Sequence, residues 1–405
     1  MEEANRVGKT SFLKYADCII ECCQEKIRYN GEDSYYTSIN DNASIVSVFD
    51  GCGGSGAKKY NKFQNKTGAY MSSRVVAGAT KDWFAESFGT PEYEKAPALS
   101  LKKKVKEYLS ICKEVGDEAS ALKGGLTKDF PTTASIIIAS SEDNKNVDVL
   151  CLSVGDSRCY LLSPDGGLMQ LSEDDLGNID AMENLTTDAA LTNVITTSKD
   201  FDIHQKKITV KSPCVLFTAT DGCFGYLSTP MEFEYLLIDT LLESQNVLEW
   251  EGRLKDIFIN VSGDDFSFTG LSIGFGTFQN LQNSFRPRVS YLHSSFISKL
   301  KDASLEEKKR LWGLYKGRYE LYIRKPVKQV EGEASDASSF EHIKKPQLKV
   351  PILDEEDSLL VCPKCNNRTP KAKFCQHCGC ELNQRDGHLA SDQSTANMYR
   401  PDDLD

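Results

Sequence analysis

From about Tyr15 to Gly276 short apolar runs rich in Val, Ile, Phe and Thr alternate with longer stretches of helical period. The pattern predicts strands at DCIIECC (17–23), YYTSI (35–39), ASIVSVFD (43–50), TTASIIIAS (132–140), VDVLCLSVGD (147–156), RCYLLS (158–163), CVLFTATDG (214–222) and FTGLSIGF (268–275). Helical periodicity predicts helices near 66–88, 102–122 and 230–242. Strands arrive in groups, joined by turn-like connections such as SEDNKN and SPDGG. Sheet packed on sheet with helices outside, an α+β arrangement, therefore fits better than a singly alternating parallel fold.

The texture changes after about Asn280. ASLEEKKRLWGLYKGRYELYI opens with a capping-box pattern, Ser304 followed by Glu307, and sets Leu311, Leu314, Tyr315, Arg318 and Tyr322 near one helical face. It reads as an amphipathic helix docked on the domain before it, with partner binding as the other reading. The polar, proline-interrupted stretch 325–357 has the composition of a linker, and the tail from 385 to 405 that of a disordered segment. The expected division is a large domain over 1–280, a helical extension over 281–324, the linker, a small cysteine-bearing module over 358–384, and the tail.

The chain has 405 residues, room for two or three domains of which one has a substantial core. Forty-eight basic against fifty-nine acidic side chains leave a net charge of -11, which argues against a sequence-independent grip on nucleic acid. No stretch approaches a membrane span and the N-terminus lacks a secretory pattern, so the expectation is a cytoplasmic protein. Fourteen irregularly spaced cysteines then read as reduced core thiols plus a metal site rather than as disulfides.

Acidic residues stand at strand ends and turns: Glu32 and Asp33 in RYNGEDSYY, Asp50 in VFDGCGG, Asp221 in TATDGCFG, and Asp264 and Asp265 in VSGDDFSF. One strand-end aspartate is usually a turn former or a helix cap. Several beside glycine are different, because missing side chains let backbone carbonyls approach a ligand. Clustered carboxylates repel one another unless a cation neutralises them, and hard oxygen donors suit magnesium or manganese. The pattern predicts a carboxylate-held metal site.

The ordered series RYNGED, VFDGCGG, TTA, VGDSR, TDG and GDDFS resembles the metal-dependent PPM family, the type 2C serine/threonine protein phosphatases. The resemblance covers the whole large domain and implies a four-layer α-β-β-α sandwich of two antiparallel sheets with two manganese or magnesium ions at one edge. It implies that Asp50 bridges the ions, that the Gly51 carbonyl adds a ligand, and that Asp221 and an aspartate of the Gly-Asp-Asp run complete the shell. Glu32 matches the family's metal-site glutamate and Asp33 the acidic partner beside it. Matching DDFS to the family's Asp-x-x-Ser/Thr pattern selects Asp264 over Asp265. Arg28 matches the phosphate-binding arginine, whose forked guanidinium can hold two phosphate oxygens; its other reading is an ordinary surface arginine on a strand. The implied reaction is hydrolysis of phosphoserine and phosphothreonine in phosphoproteins by a metal-activated water, without a phosphoenzyme.

Three departures qualify the resemblance. Cys52 stands where many members have histidine, and a thiol is a poorer general acid, which predicts slower turnover with the metals retained. Gly225 replaces an aspartate that, with the one matching Asp156, is associated with a weaker third metal. PTTA replaces GTTA, leaving Thr132 and Thr133 to pack or hydrogen-bond rather than react. The rival reading is a pseudophosphatase or adaptor that binds phosphoproteins or a partner kinase.

CPKCNNRTPKAKFCQHCG gives two knuckles, Cys362-x-x-Cys365 and Cys375-x-x-Cys378, the spacing of a tetrahedral structural zinc site. So short a module folds around its ion. A protein-docking role for this zinc ribbon, toward a serine/threonine kinase or an adaptor, is the expectation.

Overall fold

The computed structural model describes residues 11–116, 128–177, 180–185, 189–323, 359–361 and 368–370. The chain forms two compact units, 1–331 and 332–405. In the second, Leu359–Val361 pairs antiparallel with Arg368–Pro370. Cys362, Cys365, Cys375 and Cys378, the stretch 325–357 and the tail 385–405 lie outside the described residues.

The first unit is built on two five-stranded antiparallel sheets. In chain order the strands are β1 (Ala16–Gln24), β2 (Ser34–Ile39), β3 (Ser44–Phe49), β4 (Ala134–Ser140), β5 (Asn146–Val154), β6 (Arg158–Ser163), β7 (Gly167–Gln170), β8 (His204–Lys211), β9 (Cys214–Ala219) and β10 (Phe266–Ile273). One sheet runs β1-β10-β9-β6-β7 and the other β8-β5-β4-β3-β2. All eight predicted strands form. The two that patterning misses are β7, four residues long, and β8, an edge strand whose mostly exposed lysines break the apolar signal while discouraging edge pairing.

The helices are α1 (Gly68–Ser87), α2 (Pro97–Gly116), α3 (Pro230–Glu243), α4 (Val247–Val261), α5 (Phe278–Leu292) and α6 (Leu305–Tyr319). They cover the outer sheet faces, so alternate residues of a strand enter different cores. Val46, Ile137, Leu216 and Leu271 meet between the sheets. Ile45, Phe49, Ile136 and Ile138 face outward against Trp83 and Phe84 of α1 and Leu101 and Val105 of α2. On the other side Ile20, Phe217 and Phe268 pack with Leu237, Trp250, Leu254, Phe258 and Phe285. Helix α4 is absent from the sequence reading because it buries only Trp250, Leu254 and Phe258, a stripe one residue wide per turn, whereas most of α5 falls within the helical extension expected over 281–324.

Helix α6 joins the same core through Leu311, Trp312, Tyr315 and Tyr319. The predicted face is rotated: Leu314 is 68% exposed, while Trp312 and Tyr319 lie inward, because 311, 312, 315 and 319 form the stripe that helical geometry brings together. Only half of the predicted capping box forms. Ser304 accepts from the Glu307 N–H at 3.2 Å, but the Glu307 carboxylate turns to Arg310 at 2.7 Å.

Candidate metal centre

Asp50 follows the last residue of β3, and its backbone is fixed on both sides. Its N–H donates to Thr133 Oγ1 at 3.2 Å, its carbonyl accepts from the Thr133 N–H at 2.8 Å and from Thr132 Oγ1 at 2.7 Å. Thr133 Oγ1 in turn shares a hydrogen bond with Ser157 Oγ at 2.7 Å. The TTA and GDSR segments thus hold Asp50 through hydroxyls, as hydrogen-bonding rather than reacting groups. Glycine is required directly after it, at position 51. A Cβ at Gly51 would lie 2.5 Å from the Ala69 carbonyl and 2.7 Å from that of Glu32, and one at Gly53 would lie 2.1 Å from Glu32 Oε2.

Five of the predicted acids form one electrostatic system. Burial, then Asp33, Asp221, Asp156 and Asp264, push the Asp50 carboxyl well above the usual carboxylate range. Burial, then Asp265, push Asp33 up to about 8, against a hydrogen bond from Thr220 Oγ1 at 2.9 Å. Burial, then Asp221 and Asp174, push Asp156 up to about 7. The Asp156 Oδ1 atom is buried with no hydrogen-bond partner among the described residues. Asp221 opens the short helix Asp221–Phe224 directly after the strand end, and Gly222 lets the Gly-Asp-Asp backbone pass, since a Cβ there would lie 2.0 Å from the Asp265 carbonyl. Burial also raises Glu32, whose Oε1 accepts from the Thr67 hydroxyl.

A buried set of hard oxygen donors that repel one another, one of them orphaned, fits divalent cations and little else. Among the described residues no group of three or more acidic, cysteine or histidine side chains is arranged as it stands to hold a metal ion. A cleft of about 440 Å³ is lined by Asp156, Asp174, Asp221 and Asp264 together with Arg158 and Gly225, among others.

The two aspartates of the Gly-Asp-Asp run do different things. Asp265 accepts the Lys26 N–H at Oδ1 and the Glu32 N–H at Oδ2, both at 2.6 Å, and so clamps the loop that carries Glu32 and Asp33. Asp264 is exposed and borders the cleft. Arg28 sits in a turn rather than on a strand, exposed, with its guanidinium 4.8 Å from the Tyr29 ring centre, and the structure does not bring it among the carboxylates. Cys52 caps the short helix Gly53–Gly56, and burial, then Asp50 and Asp156, raise its thiol well above the ordinary value.

Two features of the cleft escape sequence reasoning. Asp174 pairs with buried Arg158, Nη2 to Oδ2 at 2.7 Å, and accepts from Asn184 at 2.7 Å. Helix α6 holds the same wall, with Trp312 Nε1 donating to Asp180 at 2.8 Å and Lys316 pairing with the same carboxylate. Asp174 and Asp180 sit in an irregular acidic loop with no period to mark them. No helix among the described residues is long and apolar enough to cross a membrane.

The family model of protein phosphatase 2C matches residues 28–257. No curated protein matches the chain. Among solved structures, the chain is similar to the serine/threonine phosphatase Stp1 of Staphylococcus aureus, with 18% identity, 67% of this chain and 99% of that one covered, and a TM-score of 0.47. It is also similar to the Mycobacterium tuberculosis serine/threonine phosphatase PstP/Ppp, with 16% identity, 63% and 97% covered, and a TM-score of 0.44. A structure of the PstP catalytic domain in complex with two manganese ions matches at 16% identity, 63% and 97% covered, and a TM-score of 0.43.

Proposed function

The chain belongs to the protein phosphatase 2C family, and from that premise we propose a manganese- or magnesium-dependent hydrolysis of phosphoserine and phosphothreonine in phosphoproteins. The observation that carries this reading is the half-buried carboxylate system of Asp50, Asp33, Asp156 and Asp221, in which the charges that most perturb Asp50 are other carboxylates. Bound there, two divalent ions supply charge neutralisation at the transferring phosphoryl group and a water of lowered pKa.

The chain's own residues hold and orient. Asp50, the Gly51 carbonyl, Glu32, Asp221 and Asp264 would hold the ions, with the half-buried Asp33 as the acid beside them. Asp265 keeps Glu32 in place through its two backbone hydrogen bonds. Asp156 marks the weaker third position, short of the carboxylate that Gly225 cannot provide. Arg28 takes phosphate oxygens from its exposed turn, and Cys52 is a weak proton donor toward the leaving alkoxide because burial holds its proton tightly. Those last two departures, Cys52 and Gly225, favour the second reading, a pseudophosphatase that binds phosphoproteins without turnover. Cys362, Cys365, Cys375 and Cys378 take one structural zinc ion, and the ribbon they form docks a phosphoprotein, kinase or adaptor in the cytoplasm.

Purified full-length protein incubated with an aryl phosphate and a phosphothreonine peptide separates the readings. Hydrolysis with manganese, abolished in chelator and in Asp50→Asn, is expected. Equal activity in chelator overturns the metal mechanism, and peptide binding without turnover establishes the second reading.

A further inference from the structure

Between Asp50 and Asp82 the chain carries no acidic residue, yet it carries Lys58, Lys59, Lys62, Lys66, Arg74 and Lys81, in a protein whose net charge is -11. This cationic stretch contains a small hairpin, Lys59–Tyr60 paired with Lys66–Thr67. The hairpin is firmly seated. Tyr60 stacks on Phe130 with ring centres 4.7 Å apart and donates to Asp129 at 3.0 Å, and the Gly68 N–H donates to the Lys58 carbonyl at 2.8 Å. Its inner strand leads straight to the metal centre, because the Thr67 hydroxyl donates to Glu32.

A groove of about 400 Å³ opens beside that hairpin, lined by Lys26, Lys59 and Lys66 and by Glu32, Asp264 and Asp265. None of the three lysines has an ion-pair partner among the described residues, whereas Lys58 is paired with Asp129 at 3.6 Å. Lys66 is held by neutral acceptors, the Tyr29 carbonyl and Asn30 Oδ1, and lies 4.5 Å from the Tyr70 ring centre. Its position is fixed while its charge stays uncompensated. Asp265 is already occupied by two backbone N–H groups, Glu32 Oε1 accepts from the Thr67 hydroxyl and Asp264 Oδ1 from the Asp265 N–H, and none of the three carboxylates forms an ion pair with a lysine among the described residues.

We propose that this groove is a substrate subsite for an acidic peptide segment: aspartate or glutamate residues flanking the phosphorylated serine or threonine dock against Lys26, Lys59 and Lys66. The proposal rests on the phosphatase reading and deepens it by naming the substrate class. Charge complementarity of this kind acts on encounter and discrimination, is screened by salt, and leaves the chemical step to the metal centre.

The test uses the manganese-loaded full chain and two phosphothreonine peptides that differ only in flanking Asp/Glu against Asn/Gln. The expected ratio of kcat/KM, acidic over neutral, is about tenfold at low salt, from two or three exposed pairs of ordinary strength, carried in KM and shrinking as salt rises. In Lys26→Gln/Lys59→Gln, whose replaced side chains make no hydrogen bond or ion pair with described residues, the ratio falls to about one. A wild-type ratio near one overturns the proposal, as does a ratio that survives in the double variant. A peptide with a second phosphothreonine in place of the acids forms a third arm, and preference for it alone overturns the carboxylate reading in favour of phosphate. If the chain hydrolyses nothing, the phosphatase reading fails by itself, and the same ratio is then read as Kd by fluorescence anisotropy.

Discussion

The first unit buries two charge systems and treats them oppositely. Behind the β1-β10-β9-β6-β7 sheet, fully buried Glu234 accepts from Arg288 Nε at 2.7 Å and Nη2 at 2.9 Å and from the Tyr315 hydroxyl at 2.5 Å. Each charge there has a fitted partner within the chain. At the sheet edge Asp50, Asp33 and Asp156 are half-buried, and their strongest charged neighbours are further acids. A fold able to neutralise Glu234 has left the second system open, and an ion from outside the chain is the counter-charge that completes it.

The contrast is sharpest in stability. Removing Glu234 leaves the mostly buried Arg288 without its partner, and breaking one side of a buried pair costs about 3–5 kcal/mol. Glu234→Ala therefore lowers the thermal midpoint strongly, with or without metal. Asp50→Asn acts in the opposite direction: in chelator it raises the midpoint by removing repulsion, and with manganese it loses the stabilisation that ligand binding gives the wild type. Differential scanning calorimetry of both variants in chelator and in manganese checks this. An Asp50→Asn midpoint below that of the wild type in chelator would mean that Asp50 is internally paired, and the comparison would collapse.

The next effect concerns a thiol at the edge of the open system. The backbone N–H of Cys52 is tied to the Pro131 carbonyl at 3.1 Å, so position 52 is held near Asp50 and Asp156 whatever side chain it carries. Histidine there is better matched to neutral pH than a thiol raised by burial. Cys52→His is expected to raise kcat toward the phosphothreonine peptide at the low end of the ~10²–10⁴-fold range that a positioned acid supplies. If Cys52→His lowers kcat and Cys52→Ala leaves it unchanged, position 52 has no acid role.

What the sequence made legible follows the same physics. Strands buried on both faces, such as β3 and β9, announce themselves because nearly every residue is apolar. Edge strand β8, held by one neighbour and lined with lysine, does not. In the site, Asp50 and Asp221 were readable because glycine stands beside them for a local steric reason. The division of labour between Asp264 and Asp265 was not, since it depends on which carboxylate meets the Lys26 and Glu32 N–H groups more than two hundred residues away. Likewise the Thr133 to Ser157 bond and the groove lysines become functional only once distant segments are brought together.

The smallest expected effect lies between the two extremes, in a half-exposed pair beside the open system. His204 Nε2 lies 2.8 Å from Asp175 Oδ1, and Asp175 Oδ2 accepts the Gly155 N–H at 2.8 Å, one residue before Asp156. Gly155 has φ of +90°, so the carboxylate holds a turn that only glycine adopts freely. The hydrogen bond to Asp175 raises the His204 pKa. A group raised on folding stabilises fully below its unfolded pKa of about 6.5, and that contribution is lost as pH rises through the folded value. With His204 52% exposed, solvent screening keeps the contribution below about 1 kcal/mol. The wild-type thermal midpoint should therefore drop slightly from pH 6 to pH 8 relative to His204→Gln, whose side chain can still hydrogen-bond to Asp175 but cannot titrate. Parallel pH profiles for the two proteins would show that the pair contributes no charge-dependent stability, and that the Gly155 turn is held by the backbone hydrogen bond alone.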